Sequence, residues 1–219
     1  GGLGLLTAKL LVEMRCASHI VLVSRSGRVS HGGQGLESDL EWLQCQQLDT
    51  GGIPIHLMRC DVSDESSVIS LLDRVRSECG AISGIIHAAG VLRDGLLRGG
   101  KAAVGAEQVW CSKALSADLL NKHSSGDALS CFVCFSSITA MLGNPGQSAY
   151  GAANGFLDGL MEQRAADGLC GVSIRWPSVV GVGMAAATGI DVAGISVSIE
   201  QVRAVLRLAV RGSVSGVDR

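Results

Sequence analysis

The chain has 219 residues, 47% of them apolar and only 3% aromatic, and a net charge of −2. That length matches one α/β domain. The apolar share can fill a substantial core with Ala, Val, Leu, Ile and Gly, as a buried parallel sheet requires, while the near-neutral charge gives no footing to a nucleic-acid or polyanion partner. No apolar run approaches membrane-spanning length and no signal peptide is visible. Eight cysteines are scattered along the chain. In a chain this long they predict reduced thiols and a reducing compartment, the cytoplasm or an organelle such as a plastid.

Apolar runs alternate with helical stripes from one end to the other. Gly1-Gly2-Leu3-Gly4 opens the chain inside a glycine-rich turn, and Leu6, Leu10, Leu11 and Met14 then form a helical apolar stripe. Residues 19–23 are a continuous apolar strand ending in Ser24-Arg25-Ser26-Gly27. A polar, glycine-rich loop over 27–35 leads to helical periodicity over 36–48, stopped by Gly51-Gly52. Residues 53–60 form the next strand, which ends in Asp61-Val62, and Val68, Leu71, Leu72 and Val75 mark a helix face. Gly84-Ile85-Ile86-His87-Ala88-Ala89-Gly90 is a strand with its exit, followed by Val91-Leu92-Arg93-Asp94.

Residues 99–125 read as loop and then helix, with Val109, Leu115, Leu119 and Leu120 on the apolar face and Lys113 among them. A strand over 129–135 delivers Ser136 and Ser137 to its carboxyl end. Asn144-Pro145-Gly146 is turn chemistry. A helix over 150–166 then opens on Tyr150, with Asn154 one turn later on the same face. The last strand is 172–175, followed by Trp176-Pro177, a turn at 182–185, a Gly/Ala-rich segment read as a lid, and a helix over 199–210. Cys131 and Cys134 mimic a metal or redox pair, but positions three apart on a strand face opposite ways. No metal-ligating set is expected.

In open α/β sheets ligands sit at the carboxyl ends of the strands. A serine and a tyrosine hydroxyl converging there can hold one carbonyl oxygen. Lys113 lies 24 residues before Ser137, Tyr150 lies 13 after it, and Asn154 four further on. These residue types at this spacing resemble the ketoreductase domain of polyketide synthases and animal-type fatty acid synthases, within the short-chain dehydrogenase/reductase family. Ordinary members carry Tyr-x-x-x-Lys; here Asn154 stands in that place and the lysine comes from the preceding helix, as in the synthases.

The resemblance implies a doubly wound parallel-sheet Rossmann fold of the short-chain dehydrogenase/reductase type. Its first strand lies outside this chain, and residues 1–219 would be the catalytic domain, a fragment of a larger multidomain synthase. That strand is central in the 3-2-1-4-5-6 order, so the isolated chain is expected to be unstable, with unpaired edges inside the sheet.

The resemblance also implies NADPH as cofactor. Gly1, Gly2, Leu3 and Gly4 would receive the pyrophosphate at a helix N-terminus. Ser24, Arg25 and Ser26 would hold the 2′-phosphate, since a guanidinium stands where a carboxylate would select NAD. Asp61 and Val62 would meet the adenine, and His87, Ala88, Ala89 and Gly90 would let the chain pass close to the cofactor. Thr7 stands where the third glycine of the dinucleotide pattern is usual, and the loop after Trp176 lacks its usual glycine. His87 is expected to be structural and not a catalytic base. Asp61 also reads as an ordinary strand-to-helix cap, because Ser63 and Asp64 follow it.

The implied reaction reduces a β-ketoacyl thioester carried on the phosphopantetheine of an acyl carrier protein, beside other synthase domains in one polypeptide. Tyr150 would donate the proton, its pKa lowered by Lys113 and the oxidised nicotinamide. Ser137 would hold the carbonyl oxygen, and Asn154 would orient Lys113 or a relay water. Asp94, ending a Leu-x-Asp motif, and Gln147, three before Tyr150, would orient the substrate as in B-type domains, giving a D-configured β-hydroxyl. Two other readings stand beside this one: a free-standing short-chain dehydrogenase acting on a small ketone or alcohol, and a catalytically inactive NADPH-binding module of a synthase.

Overall fold

The computed structural model describes residues 1–26, 37–46, 52–95, 101–181 and 195–212. The loop over 27–35, Gly51 of the helix stop, the turn at 182–185 and most of the segment read as a lid fall outside the described residues.

Strands and helices alternate as β1 (Ile20–Ser24), α2 (Glu37–Gln46), β2 (Ile55–Arg59), α3 (Glu65–Cys79) and β3 (Gly84–His87), after an opening helix α1 (Gly2–Met14). A long helical stretch follows: α4 (Lys101–Trp110), one π-helical turn (Cys111–Leu115) and α5 (Ser116–His123). Then come β4 (Cys131–Ser137), α6 (Thr139–Leu142), α7 (Ser148–Ala166), β5 (Val172–Trp176), the short β6 (Ser178–Val179) and β7 (Ser196–Val197), and α8 (Ile199–Gly212).

All strand pairs are parallel. β1 pairs with β2, and β4 lies between β3 and β5 with Gly84 opposite Cys131 and Val133 opposite Val172. No ladder joins β1 to β3 among the described residues. The break falls at the place the resemblance gives to a strand outside this chain, and one apolar cluster, which includes both Ile20 and Val133, still spans the two parts.

The central strand β4 shows why the sheet sits between two helical layers. All seven of its residues are buried. Phe132 and Cys134 pack with Val68 and Leu72 of α3 and Leu157 and Met161 of α7. Val133 and Phe135 face the other way, onto Leu6 and Leu10 of α1, Leu43 of α2, and Val202 and Leu206 of α8. That is period-two alternation in a strand covered on both faces, the doubly wound arrangement predicted. Cys131 and Cys134 both lie in this strand, and burial pushes their thiols up to about 11 and about 12.

Several boundaries differ from expectation. β4 runs on through Ser136 and Ser137, because its pairing with β5 continues as far as Trp176. A short helix, α6, forms where a loop was expected, and α7 starts two residues before Tyr150. At the amino end the helix begins at Gly2, with Gly1 as its cap. Gly2, Leu3 and Gly4 are thus its first turn and not a turn preceding it. Asp61 is not the cap of α3. That role belongs to Asp64, which accepts the Ser67 N–H at 2.8 Å, while Asp61 closes its own turn onto Ser63.

Candidate active site

The site assembles at the carboxyl ends of β3 and β4 and the amino end of α7. Lys113 sits in the π turn, 2% exposed. One extra residue in a helical turn re-aims the side chains around it, and such turns recur at functional sites. Here the turn points the ammonium inward, where Nζ donates to the Phe135 carbonyl of β4 at 2.8 Å and lies 5.4 Å from the centre of the Tyr150 ring. Burial lowers the Lys113 ammonium from 10.5 to about 8.

Gly90, just beyond β3, makes room for this lysine. A Cβ built there would stand 2.8 Å from Lys113 Cε. The glycine expected to admit the cofactor is therefore needed first to admit the lysine.

Ser137 is buried at the end of β4. Its Oγ donates to Thr139 Oγ1 at 3.1 Å and accepts the Thr139 N–H at 3.2 Å. Ser136 faces the other way, as expected, and donates to the Asn154 backbone carbonyl at 3.3 Å. Thr139 passes the chain of contacts on, donating to Gln147 Oε1 at 3.4 Å. Gln147 also accepts from Asn144 at 3.0 Å and donates to the Asp94 carboxylate at 2.8 Å. The two residues expected to orient substrate thus touch each other and reach the serine through Thr139. The sequence reading missed Thr139. Its place two residues after Ser137 and eight before Gln147 gave no signal without the α6 turn.

The loop holding Asp94 is pinned beside them, with the Gly95 N–H donating to the Gly146 carbonyl at 2.9 Å. Gly146 has φ +77°, a left-handed conformation that favours glycine. Arg93, in the middle of the Leu-x-Asp motif, turns away. Its guanidinium donates to Gln108 at 2.8 Å and to the Leu92 carbonyl at 3.0 Å. An open groove of about 610 Å³ runs here, lined by Gly95, Thr139, Gly146, Gln147 and Gly151 among others.

In the chain by itself burial raises the Tyr150 phenol, and Asn154 and Ser137 oppose the rise without reversing it. The lowering that the resemblance implies belongs to the site with the oxidised nicotinamide in place. One expectation is corrected: Asn154 does not hold Lys113. Its Nδ2 donates to the Tyr150 backbone carbonyl at 2.8 Å, and its buried Oδ1 has no hydrogen-bond partner among the described residues.

The expected cofactor residues lie along the same edge. Gly1 caps α1, whose first turn holds Gly2, Leu3 and Gly4. Thr7 is buried, and its hydroxyl donates back to the Leu3 carbonyl at 2.7 Å, so it is accommodated inside the helix. Ser24 ends β1, and Arg25 and Ser26 follow it, exposed. The Arg25 charge and the Ser63 hydrogen bonds hold the Asp61 carboxyl below its ordinary value, the Ser63 bonds contributing most. Val62 packs at the margin of the α3 core. His87 is buried and neutral, its pKa driven down to about 3 by burial and by the Lys113 charge, and its Nε2 meets Ser116 Oγ at 2.7 Å. The imidazole meets the first residue of α5 through Nε2, and its buried Nδ1 has no hydrogen-bond partner among the described residues. Ala88 and Ala89 lead from the end of β3 to Gly90.

Comparison with known proteins follows the same lines. The KR domain family matches residues 1–181. The chain is 35% identical over 176 residues to the phenolphthiocerol synthesis polyketide synthase type I Pks15/1 of Mycobacterium marinum, covering 80% of this chain and 8% of that protein. It is 36% identical over 177 residues to the erythronolide synthase EryA2 of Saccharopolyspora erythraea, covering 80% and 5% respectively. A solved structure described as A-type ketoreductases from a modular polyketide synthase superposes with a TM-score of 0.80 at 29% identity, over 97% of this chain and 44% of that one. The chain therefore spans a small part of the curated synthases and less than half of the solved chain. From the parallel sheet, the convergence at the end of β4 and these matches together, the chain belongs to the KR domain family, the polyketide synthase ketoreductases of the short-chain dehydrogenase/reductase fold.

Proposed function

We propose that this chain reduces the β-keto group of an acyl thioester with NADPH during polyketide assembly, as one domain of a larger polypeptide in a reducing cytoplasm. The observation that carries the reading is the meeting of Tyr150, Ser137 and buried Lys113 at the carboxyl end of β4. When bound, NADPH supplies the hydride that reaches the ketone carbon. The helix N-terminus at Gly1 to Gly4 suits the pyrophosphate. Exposed Arg25 at the end of β1 suits a 2′-phosphate, and Asp61 and Val62 at the end of β2 suit the adenine side. The buried, unpartnered Asn154 Oδ1 suits a hydrogen-bond donor reaching the inner end of the site.

As the carbonyl oxygen gains negative charge, Ser137 donates a hydrogen bond to it and Tyr150 delivers its phenolic proton. Lys113 supplies the positive charge that stabilises the resulting phenolate. Donation by Ser137 requires its hydroxyl to swing from Thr139 Oγ1 to the substrate, while the Thr139 N–H keeps hold of the same oxygen.

The substrate is a β-ketoacyl thioester on an acyl carrier protein. The open groove between Gly95 and Gly151 supports entry of its flexible phosphopantetheine arm. The bond between Gln147 and Asp94 at the groove supports B-type orientation and a D-configured hydroxyl. Arg93 does not disturb that contact, because it points to Gln108. The A-type description of the solved relative concerns that protein, and likeness of backbone does not carry facial selectivity.

The test is NADPH oxidation with a β-ketoacyl-N-acetylcysteamine thioester, beside Tyr150→Phe and with NADH in place of NADPH. Turnover that falls about 10²- to 10⁴-fold in the variant supports the proton donor. A preference for NADPH that Arg25→Ala abolishes supports the cofactor. NADPH binding without turnover would instead favour an inactive structural module.

A further inference from the structure

At the opposite end of the sheet, three side chains of ligand type meet from three different elements. His19 directly precedes β1, His56 is the second residue of β2, and Cys79 is the last of α3. One ligand atom from each lies within 4.8 Å of the other two. His19 Nδ1 and His56 Nε2 are 3.1 Å apart, with ring centroids 5.3 Å apart and the rings tilted 31°. All three residues are half-buried, so the cluster is fixed by the fold yet reachable from solvent.

A hydrogen bond between two neutral imidazoles accounts for the histidine pair but gives Cys79 no part. A tetrahedral cation gives all three a part. With zinc–nitrogen bonds of about 2.0–2.1 Å, two nitrogens on one metal stand about 3.3 Å apart, and nitrogen and sulfur about 3.6 Å apart. The observed nitrogen separation is close to that value. Two imidazoles and a thiolate, with no oxygen ligand, select zinc-class ions over magnesium or calcium. The Glu78 carboxylate lies near enough to feel the His56 charge, but it is engaged by Arg74 at 2.7 Å.

We propose that His19, His56 and Cys79 form a binding site for a divalent zinc-class cation, with its fourth position open to water. Binding shifts the proton shared by the two imidazoles to the far nitrogen of its own ring, so both rings stay neutral, and releases the Cys79 thiol proton to solvent, so affinity rises with pH. The site lies at the amino ends of β1 and β2, while Ser137, Tyr150 and Gly90 lie at carboxyl ends. Its role is therefore to clip β1, β2 and α3 together and not to take part in the reduction. It rests on none of the residues assigned to the proposed function.

The test is titration of the whole chain with Co²⁺, followed by displacement with Zn²⁺. The expected result is one equivalent bound, tetrahedral d–d absorption and a thiolate-to-cobalt charge-transfer band, all removed by zinc. Cys79→Ser should abolish the charge-transfer band, and His56→Gln should weaken binding about tenfold or more, since even outer-shell changes cost 10- to 100-fold. Cys16→Ser and Cys45→Ser remove exposed thiols elsewhere and should leave the spectrum unchanged. Circular dichroism checks that each variant folds, and the wild-type spectrum decides the matter even if one does not. An octahedral spectrum without the charge-transfer band, or equal affinity in wild type and Cys79→Ser, would overturn the proposal.

Discussion

Gln147 Nε2 donates to the Asp94 carboxylate at 2.8 Å across the mouth of the groove, joining the start of α7 to the loop after β3. Under the proposed function, a β-keto substrate passing this pair would meet one wall whose position both residues set. Asp94→Ala and Gln147→Leu should each lower the ratio of D to L alcohol about tenfold, which is about 1.4 kcal/mol of discrimination. The double variant should do no worse than either single one, because the two act as one contact. Chiral chromatography of the reduced thioester reads the ratio. An unchanged ratio in both single variants would refute the role in orientation.

Thr139 holds Ser137 through both its N–H and its hydroxyl, and touches Gln147 as well. Thr139→Val keeps the shape and the N–H but removes the hydroxyl. We expect kcat to fall about tenfold with KM nearly unchanged, since the Thr139 hydroxyl, held by Gln147, fixes the turn whose N–H keeps the serine oxygen in place as its proton swings to the substrate. Thr139→Ser should restore the rate. A Ser variant as slow as the Val variant would mean that packing, not the hydroxyl, matters at this position.

Lys113 gives a pH signature of known sign. Folding lowers its ammonium from 10.5 to about 8. Between those values the unfolded chain binds more protons than the folded one, so stability from this group rises with pH across that window and is least below about 8. Lys113→Met should remove the rise and stabilise the fold at neutral pH, by an amount on the order of 1.4 kcal/mol per pKa unit. It should also remove reductase activity. In the wild type, reduction should decline as pH climbs past about 8, where the ammonium is lost. Urea denaturation and initial rates between pH 6 and 10.5 check both (roughly the span bracketing the two pKa values).

The sheet should not be uniformly protected. β4 is buried throughout and paired on both sides, whereas β1 and β3 each pair on one side only among the described residues. Amide hydrogen exchange should therefore be slowest in β4 and markedly faster in β1 and β3. Equal protection across all three strands would show that the edges are covered, and a sharp cooperative melt of the isolated chain would contradict its expected instability.

The alternation of strand and helix was legible in the chain because continuous apolar runs and stripes with period 3.6 are local properties. The candidate set of Lys113, Ser137, Tyr150 and Asn154 was legible through the likeness of its spacing to the ketoreductase pattern. How these residues meet was set by packing. That Lys113 reaches inward depends on a π turn and on the missing Cβ of Gly90, which is distant in sequence. That the Tyr150 phenol of the chain by itself is raised depends on burial by several elements, whereas the Asn154 bond to the Tyr150 carbonyl is a contact one turn apart within α7. The trio of His19, His56 and Cys79 left no local pattern at all, because its members come from three separate elements and only packing sets the distances between them.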